Sequence, residues 1–297
     1  MIPEPVIQTN QLRKSYGRFE AVRGVDLCVE PNRITGFLGA NGAGKSTTIK
    51  MLLGMMRSSG GSGTVLGRRI DDPGESVDMR RHVAYVSEDK RLYGYMTVEQ
   101  IIRFTSACYP DWRHDVERDL LRTYELPADR KIKSLSKGMR TKLALLLALS
   151  RRPSLMILDE PGDGLDPCGV EQLLESLVAR SSEGTAIFFS SHQIADVERI
   201  ADNVCILDKG RLIMDASMDD LRQSYRQVTL VFPELPAERE FQLAGVERIR
   251  TSGFQMSVFA SGNAEAIVAR ARDFHATSID VAPVLLRDIY LQTVRGN

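Results

Sequence analysis

The sequence predicts an α/β fold: a mainly parallel core sheet with helices on both faces, a helical subdomain, and a small α+β appendage at the C-terminal end. Three observations carry this. Nearly continuous apolar runs ("ITGFLG", "VAYVSE", "SLMILDE", "TAIFFSS", "NVCILDKGRLI") recur along the first part of the chain, as strands buried on both faces do. Segments of helical character alternate with these runs, the chain order that builds a parallel sheet. From about Asp219 the pattern changes to "QVTLVF" and "VERIRTSGFQMSVFA" with helices between, which marks a smaller unit of different style.

Between Val6 and Gly67, β-type runs ("VDLCVE", "ITGFLG", "GTVLG") surround one helix expected over 45–55, with glycine turns as punctuation. "SSGGSG" at 58–63 is short for a linker and reads as a surface turn. After "VAYVSE" the chain is expected to be helical over about 98–151; the aromatic segment "YPDWRHD" interrupts it, with Asp111 as the expected cap. Further helices are expected over 169–180, 194–201 and 264–274, and a last strand and helix through "DVAPVLLRDIYLQTV". The expected division is 5–220 for the main domain, with its helical subdomain at about 91–151, and 221–297 for the accessory domain.

A chain of 297 residues is long enough for a large core and an appendage. Lysine plus arginine equals aspartate plus glutamate at 39 each, so no basic excess recruits nucleic acid, and none is expected as a partner. Cys28, Cys108, Cys168 and Cys205 never form C-x-x-C, and neither a disulfide nor a zinc site is expected. "MIPEPVIQTN" lacks the basic-then-apolar order of a signal peptide, which places the expected mature start near Met1. The apolar stretch "LSKGMRTKLALLLAL" is hemmed in by Arg140, Lys142, Arg151 and Arg152. It falls short of the about 20 apolar residues that span a bilayer and reads as a packed helix.

The chemistry starts at "GANGAGKST", Gly39 to Thr47. It fits G-x-x-x-x-G-K-[ST] and sits between an apolar strand and a helix, the context that pattern requires. Within the ATP-binding loop of Gly39, Ala40, Asn41, Gly42, Ala43 and Gly44 onward, backbone N–H groups from Asn41 to Ser46 can wrap around phosphate oxygens at the positive end of a helix. Lys45 adds a point charge for the β and γ phosphates, and the Ser46 hydroxyl, followed by Thr47, can ligate Mg²⁺. The Lys-Ser pair favours a nucleoside triphosphate over a dinucleotide.

"LMILDEP" ends an apolar strand in two carboxylates, and charges there require a partner. Asp159 is assigned to the Mg²⁺ shell. Glu160 is assigned to orienting or deprotonating the attacking water. His192 in "FFSSHQ" lies just past another buried strand, where ligands collect in open α/β sheets, and is a candidate donor to the γ phosphate.

Taken with "LSKGM", this set resembles the ATP-binding cassette (ABC) family of P-loop NTPases over about 6–221: Walker A at Gly39–Thr47, Walker B ending at Glu160, switch histidine His192. In texture it is similar to ATPase subunits of bacterial drug and peptide exporters with separate membrane chains. The resemblance implies an antiparallel β subdomain, ATP and Mg²⁺ as ligands, and a head-to-tail homodimer or heterodimer with a second ABC ATPase. It implies that Ser136, Lys137, Gly138 and Met139 contact the γ phosphate held by the other protomer. The resemblance also implies that Tyr16 stacks on adenine beside Val22 and that Asp166 in "GLDP" links the two sites. A separate transmembrane permease, with this subunit peripheral at the cytoplasmic face of the membrane, completes the implied assembly; the aromatic set Tyr93, Tyr95, Met96, Tyr109 and Trp112 is either its docking groove or ordinary core.

Three positions depart from the family's usual wording. Glu88 in "YVSE" stands where a glutamine is usual; it keeps the oxygen ligand for Mg²⁺ and loses the amide donor. The signature reads Ser-Lys-Gly-Met, which adds positive charge near phosphate. "PGDGLDP" carries Gly162 and Asp163 where Thr-Ser is common. The rival readings are a soluble ABC ATPase acting on nucleic acid or ribosomes, for which no coiled-coil insertion or basic surface is visible, and a nucleotide sensor without turnover. Nothing in the sequence names a cargo.

Overall fold

The computed structural model describes residues 4–295, and the chain divides into two compact units, Met1–Asp215 and Ala216–Asn297. Met1, the expected mature start, and the last two residues of the expected accessory domain lie outside the described residues.

The first unit opens with β1 (Ile7–Tyr16), β2 (Phe19–Val25) and β3 (Cys28–Val29), then β4 (Ile34–Leu38) and α1 (Lys45–Leu52). β5 (Gly60–Val65) and β6 (Arg68–Arg69) join β1 to β3 in a five-stranded sheet, order β2-β1-β5-β6 with β3 also on β1. Most of "SSGGSG" is therefore strand and not a turn, with Gly60 opposite Arg13 and Gly63 opposite Thr9. The reason is steric. At Gly61, φ is 75° and an added Cβ would lie 2.1 Å from the Gln11 carbonyl oxygen, so glycine is what lets the strand follow an irregularity in β1.

Next comes α2 (Pro73–His82), a helix not expected from the sequence, although its signals are present: the Asp72 side chain accepts from Gly74 N and Glu75 N, and Pro73 stands at the first turn. β7 (Val83–Val86) follows. The expected helical stretch resolves into α3 (Val98–Ser106), opened by a Thr97/Gln100 capping box, α4 (His114–Thr123) and α5 (Lys137–Leu149). Asp111 caps nothing: the N-cap of α4 is Arg113, without a side-chain cap bond. The local chain is set instead by Trp112, which is buried and donates Nε1–H to Glu117 Oε2 at 2.7 Å.

Alternation resumes with β8 (Leu155–Asp159), α6 (Pro167–Ser182), β9 (Ala186–Ser191), α7 (Ile194–Ile200), β10 (Asn203–Asp208) and β11 (Arg211–Ser217). The six-stranded sheet runs β11-β10-β4-β9-β8-β7, and every pair from β10 to β7 is parallel. All residues of β4, β8 and β9 are buried, each large apolar side chain contributing about 1.5–3 kcal/mol by leaving water. Phe37 and Phe188 meet at 5.1 Å between ring centroids. This order sets the C-terminal ends of β4, β9, β8 and β7 side by side, the crevice where open α/β sheets bind ligands.

The second unit contains α8 (Met218–Ser224), β12 (Arg226–Val231), β13 (Val246–Ser252), β14 (Gln255–Ala260), α9 (Ala264–Asp273), β15 (Ser278–Pro283) and α10 (Leu286–Arg295). Its sheet, order β13-β14-β12-β15, is antiparallel and has its own core around Val228, Leu230, Phe232, Phe241, Val258 and Ile267. No helix among the described residues is long and apolar enough to cross a membrane.

Candidate functional site

The turn from β4 into α1 forms one wall of a cleft of about 320 Å³ whose lining includes Tyr16, Phe19, Lys45, Ser46, Glu88 and Glu160. Ala40, Asn41 and Gly42 are exposed at its rim, Gly39 and Ala43 are buried, and Gly44 to Thr47 enter the helix. At Gly44 φ is 111° and an added Cβ would sit 2.5 Å from the Ala21 carbonyl oxygen, so only glycine both turns the chain and lets it pack. The helix that follows presents its first N–H groups to the cleft, without a side-chain cap to satisfy them.

Lys45 is only 5% exposed. Its Nζ donates to the Gly39 carbonyl at 2.7 Å and lies 3.1 Å from Glu160 Oε1. That approach is an ion pair without hydrogen-bond geometry, and Glu160 Oε1 is otherwise unpartnered. Glu160 Oε2 meets His192 Nδ1 at 2.8 Å and accepts from the His192 backbone N at 3.3 Å. The ends of β4, β8 and β9 thus converge on one carboxylate. Glu160 itself has φ 48°, the left-handed region, where a non-glycine residue costs about 1–3 kcal/mol.

Asp159 is buried, and its Oδ1 accepts from the Ser190 hydroxyl at 2.7 Å and the Ser46 hydroxyl at 3.2 Å. Glu88 Oε2 lies 3.5 Å from the same Ser46 Oγ. One hydroxyl between two carboxylates is an oxygen-only donor set, which suits a hard cation. Among the described residues no three His, Cys, Asp or Glu gather as a metal cage. The two carboxylates and the hydroxyl are of the kind that would hold Mg²⁺, which takes one or two carboxylates together with substrate phosphates.

Three participants were not foreseen. Ser190 accepts from Glu160 N at 3.0 Å while donating to Asp159, so one buried hydroxyl ties the two carboxylate residues together; its signal was the first serine of "FFSS". Lys90, 7% exposed, donates from Nζ to the Glu160 carbonyl at 2.8 Å, and burial lowers its ammonium's affinity for the proton. Phe19, 61% exposed, pairs with Tyr16 across the β1–β2 hairpin. Tyr16 is itself 48% exposed, with its hydroxyl 3.0 Å from Met56 Sδ. Val22 is fully buried and packs behind Gly44, with a methyl group 3.6 Å from where a Cβ there would lie.

Ser136 is exposed and caps α5, accepting from Met139 N at 3.1 Å. Among the described residues lining the cleft, none comes from Ser136, Lys137, Gly138 or Met139. Lys137 does not leave a free charge: its Nζ pairs with Asp163 Oδ2 at 2.7 Å, and this lysine holds the Asp163 carboxyl below its ordinary range. Asp166 is exposed and caps α6, accepting from Gly169 N at 2.8 Å.

The aromatic set divides. Tyr93, Tyr95 and Phe104 form an exposed cluster, with Tyr93 5.9 Å from Tyr95 and 6.0 Å from Phe104 between centroids. Tyr109 instead lies under the Arg151 guanidinium at 3.6 Å, and Trp112 is buried.

Comparison with known proteins agrees with this geometry. A family model described as ABC transporter matches residues 22–163. An uncharacterized ABC transporter ATP-binding protein of Bacillus subtilis, YhaQ, is 33% identical over 228 residues, 74% of each chain. The chain belongs to the ABC transporter ATP-binding family. Over more of its length, 91%, it is 30% identical to the daunorubicin/doxorubicin resistance ATP-binding protein DrrA of Streptomyces peucetius, covering 82% of that protein. A solved ATP-binding subunit of an ABC transporter superposes with a TM-score of 0.67 at 33% identity, covering 73% of this chain and 92% of that one. As an ABC ATP-binding subunit the chain has the P-loop fold that the motifs implied.

Proposed function

We propose that this ABC subunit binds ATP with Mg²⁺ and hydrolyses it as half of a head-to-tail dimer, powering a separate transmembrane permease. The observation that carries this is Glu160, a buried carboxylate held between Lys45 and His192 with one oxygen that accepts no hydrogen bond. In the cleft the Walker A amides and Lys45 hold the phosphates, with the lysine exchanging its contacts with Gly39 and Glu160 for phosphate oxygens. Glu160 orients a water in line with the γ phosphorus and takes its proton. The water oxygen bonds to phosphorus as the bond to the bridging oxygen breaks, and ADP leaves. Ser46, Asp159 and Glu88 would hold Mg²⁺, which would supply neutralisation of the triphosphate charge. His192 stays oriented by Glu160 and donates toward the γ phosphate.

The dimer reading is supported by α5, whose capped N-terminus is exposed and contributes no residue to the lining of its own cleft, so Ser136 to Met139 are available to a partner's phosphate and Asp166 to the junction. Export is supported by the resemblance to DrrA, named for drug resistance. The exposed cluster at Tyr93, Tyr95 and Phe104, soon after Glu88, is the surface assigned to the permease, and the subunit would sit at the cytoplasmic face of the membrane. Residues 5–220 are assigned as the ATPase domain and 221–297 as an accessory domain.

A Glu160→Gln protein tests the assignment. It should release phosphate slowly yet elute as a dimer on gel filtration with ATP. Hydrolysis at the wild-type rate would refute the role given to Glu160.

A further inference from the structure

Glu160 must aim its carboxylate from a backbone conformation that few residues adopt, with φ 48°. Something has to hold that peptide in place. Ser190 and Asp163 act on it through short local contacts: Glu160 N donates to Ser190 Oγ at 3.0 Å, and the Glu160 carbonyl accepts from Asp163 N at 3.2 Å. The same carbonyl accepts a second bond, from Lys90 Nζ 70 residues away, at 2.8 Å.

A lysine is an expensive residue for that place. At 7% exposure its ammonium is largely stripped of water, and its one hydrogen bond among the described residues goes to a neutral carbonyl rather than to a carboxylate. Packing alone would be served by a methionine of similar length. What the lysine adds is a directed donor, able to fix the peptide on whose other side the catalytic carboxylate hangs. Lys90 also belongs to the short segment that carries Glu88, whose Oε2 lies 3.5 Å from the Ser46 hydroxyl. One loop therefore reaches both the proposed metal shell and the backbone of the proposed base.

We propose that Lys90 is a positioning residue for hydrolysis: its ammonium pins the Glu160 peptide and so keeps the Glu160 carboxylate aimed at the attacking water. The proposal rests on the reading of Glu160 as the group that activates water. It assigns Lys90 no contact with nucleotide, and it predicts an effect on the chemical step without an effect on binding.

The test uses the full chain in five forms: wild type, Lys90→Met, Lys90→Arg, Glu160→Gln, and the double variant Lys90→Met/Glu160→Gln. Steady-state phosphate release gives kcat and KM; fluorescence titration with a fluorescent ATP analogue gives affinity, and a thermal melt checks folding. Lys90→Met should lower kcat about ten- to a hundred-fold, the scale of a misplaced catalytic group, with KM and affinity within about two-fold. Lys90→Arg, which keeps a cationic donor, should recover most of the loss. Adding Lys90→Met to Glu160→Gln should lower turnover no further, because the aim of a residue that cannot take the proton no longer matters.

Wild-type kcat in Lys90→Met, with Glu160→Gln inactive, would overturn the proposal and leave the reading of Glu160 standing. Equal loss in Lys90→Met and Lys90→Arg would reduce Lys90 to packing and overturn it as well. Wild-type turnover in Glu160→Gln would instead overturn the reading on which it rests. Should Lys90→Met fail to fold, Lys90→Gln retains a shorter N–H donor and should show an intermediate loss; wild-type kcat there would be equally fatal.

Discussion

Lys137 Nζ and Asp163 Oδ2 stand 2.7 Å apart, joining the signature loop to the turn after Walker B within one chain. Both residues occupy positions where this sequence departs from the family's usual wording, and the structure makes the two departures one feature. The contact is broader than the ion pair: an added Cβ at Gly138 would lie 2.7 Å from the Gly164 carbonyl oxygen, and the Thr141 hydroxyl donates to the Asp163 carbonyl at 3.1 Å. The extra positive charge in the signature is therefore already balanced within its own chain. That explains how a lysine is tolerated beside a helix N-terminus, where a cation is otherwise disfavoured.

Lys137→Gly and Asp163→Ala should consequently have similar, modest effects, roughly two- to five-fold on turnover with ATP binding intact. The Lys137 side chain is 63% exposed, and exposed pairs are worth about 0–1 kcal/mol. The double variant should be no worse than the more impaired single one. Phosphate-release assays on the three proteins, repeated at high salt, check this. Complete loss of hydrolysis in Lys137→Gly alone would mean that the charge acts on phosphate after all.

How much of this was legible in the sequence depends on whether a contact is local. Walker A, both carboxylates and His192 could be placed because each ends a run of fully buried strand residues, so β4, β8 and β9 bring them together once the sheet order is known. Ser190 carried a weak signal at the same strand end. Lys90 carried none: a lysine in "SEDK" reads as solvated, and only the fold brings it to a carbonyl 70 residues away. Helix α2 was missed although "DDPGE" contains its cap, because apolar periodicity is weak there. In "SSGGSG" flexible composition concealed glycines selected by the close approach of β1.

Gly44→Ala should abolish nucleotide binding while leaving the rest of the fold in place. The substitution strains φ 111° and drives a Cβ to 2.5 Å from the Ala21 carbonyl oxygen. Relief requires moving either β2 or the phosphate loop, and the loop has less holding it. Titration with a fluorescent ATP analogue, paired with a circular-dichroism melt, separates this outcome from global unfolding. Wild-type affinity would show that the loop relaxes more easily than its packing suggests.

Tyr16, Phe19 and Val22 should respond in two different ways. Tyr16→Ala and Phe19→Ala remove exposed rings at the cleft mouth and should raise KM for ATP about three- to ten-fold with little change in kcat, the pattern of lost uniform binding. Val22→Ala removes two buried methyl groups behind Gly44 and should cost about 1–3 kcal/mol of stability, with KM shifted only through loosening of the loop. Kinetics and thermal melts on the three variants decide it. A rise in KM confined to Val22→Ala would make Val22, and not the two rings, the residue that holds adenine.

Removal of divalent cation should stop hydrolysis, and Glu88 should set how much Mg²⁺ is needed to restore it. Glu88 Oε2 and Asp159 Oδ1 flank the Ser46 hydroxyl at 3.5 and 3.2 Å, so the proposed shell carries two negative charges where a glutamine would leave one. Glu88→Gln keeps the oxygen and removes the charge. The half-activating Mg²⁺ concentration should then rise about thirty-fold, matching the ~2 kcal/mol that a unit charge about 4 Å from a doubly charged ion is worth in water. At saturating Mg²⁺ the turnover of Glu88→Gln should return to within a few-fold of wild type. Lys137→Gly, which alters charge outside the shell, should leave the half-activating concentration unchanged and serves as the control. If Glu88→Gln needs no more Mg²⁺ than wild type, the carboxylate does not reach the ion, and Asp159 with Ser46 hold it alone.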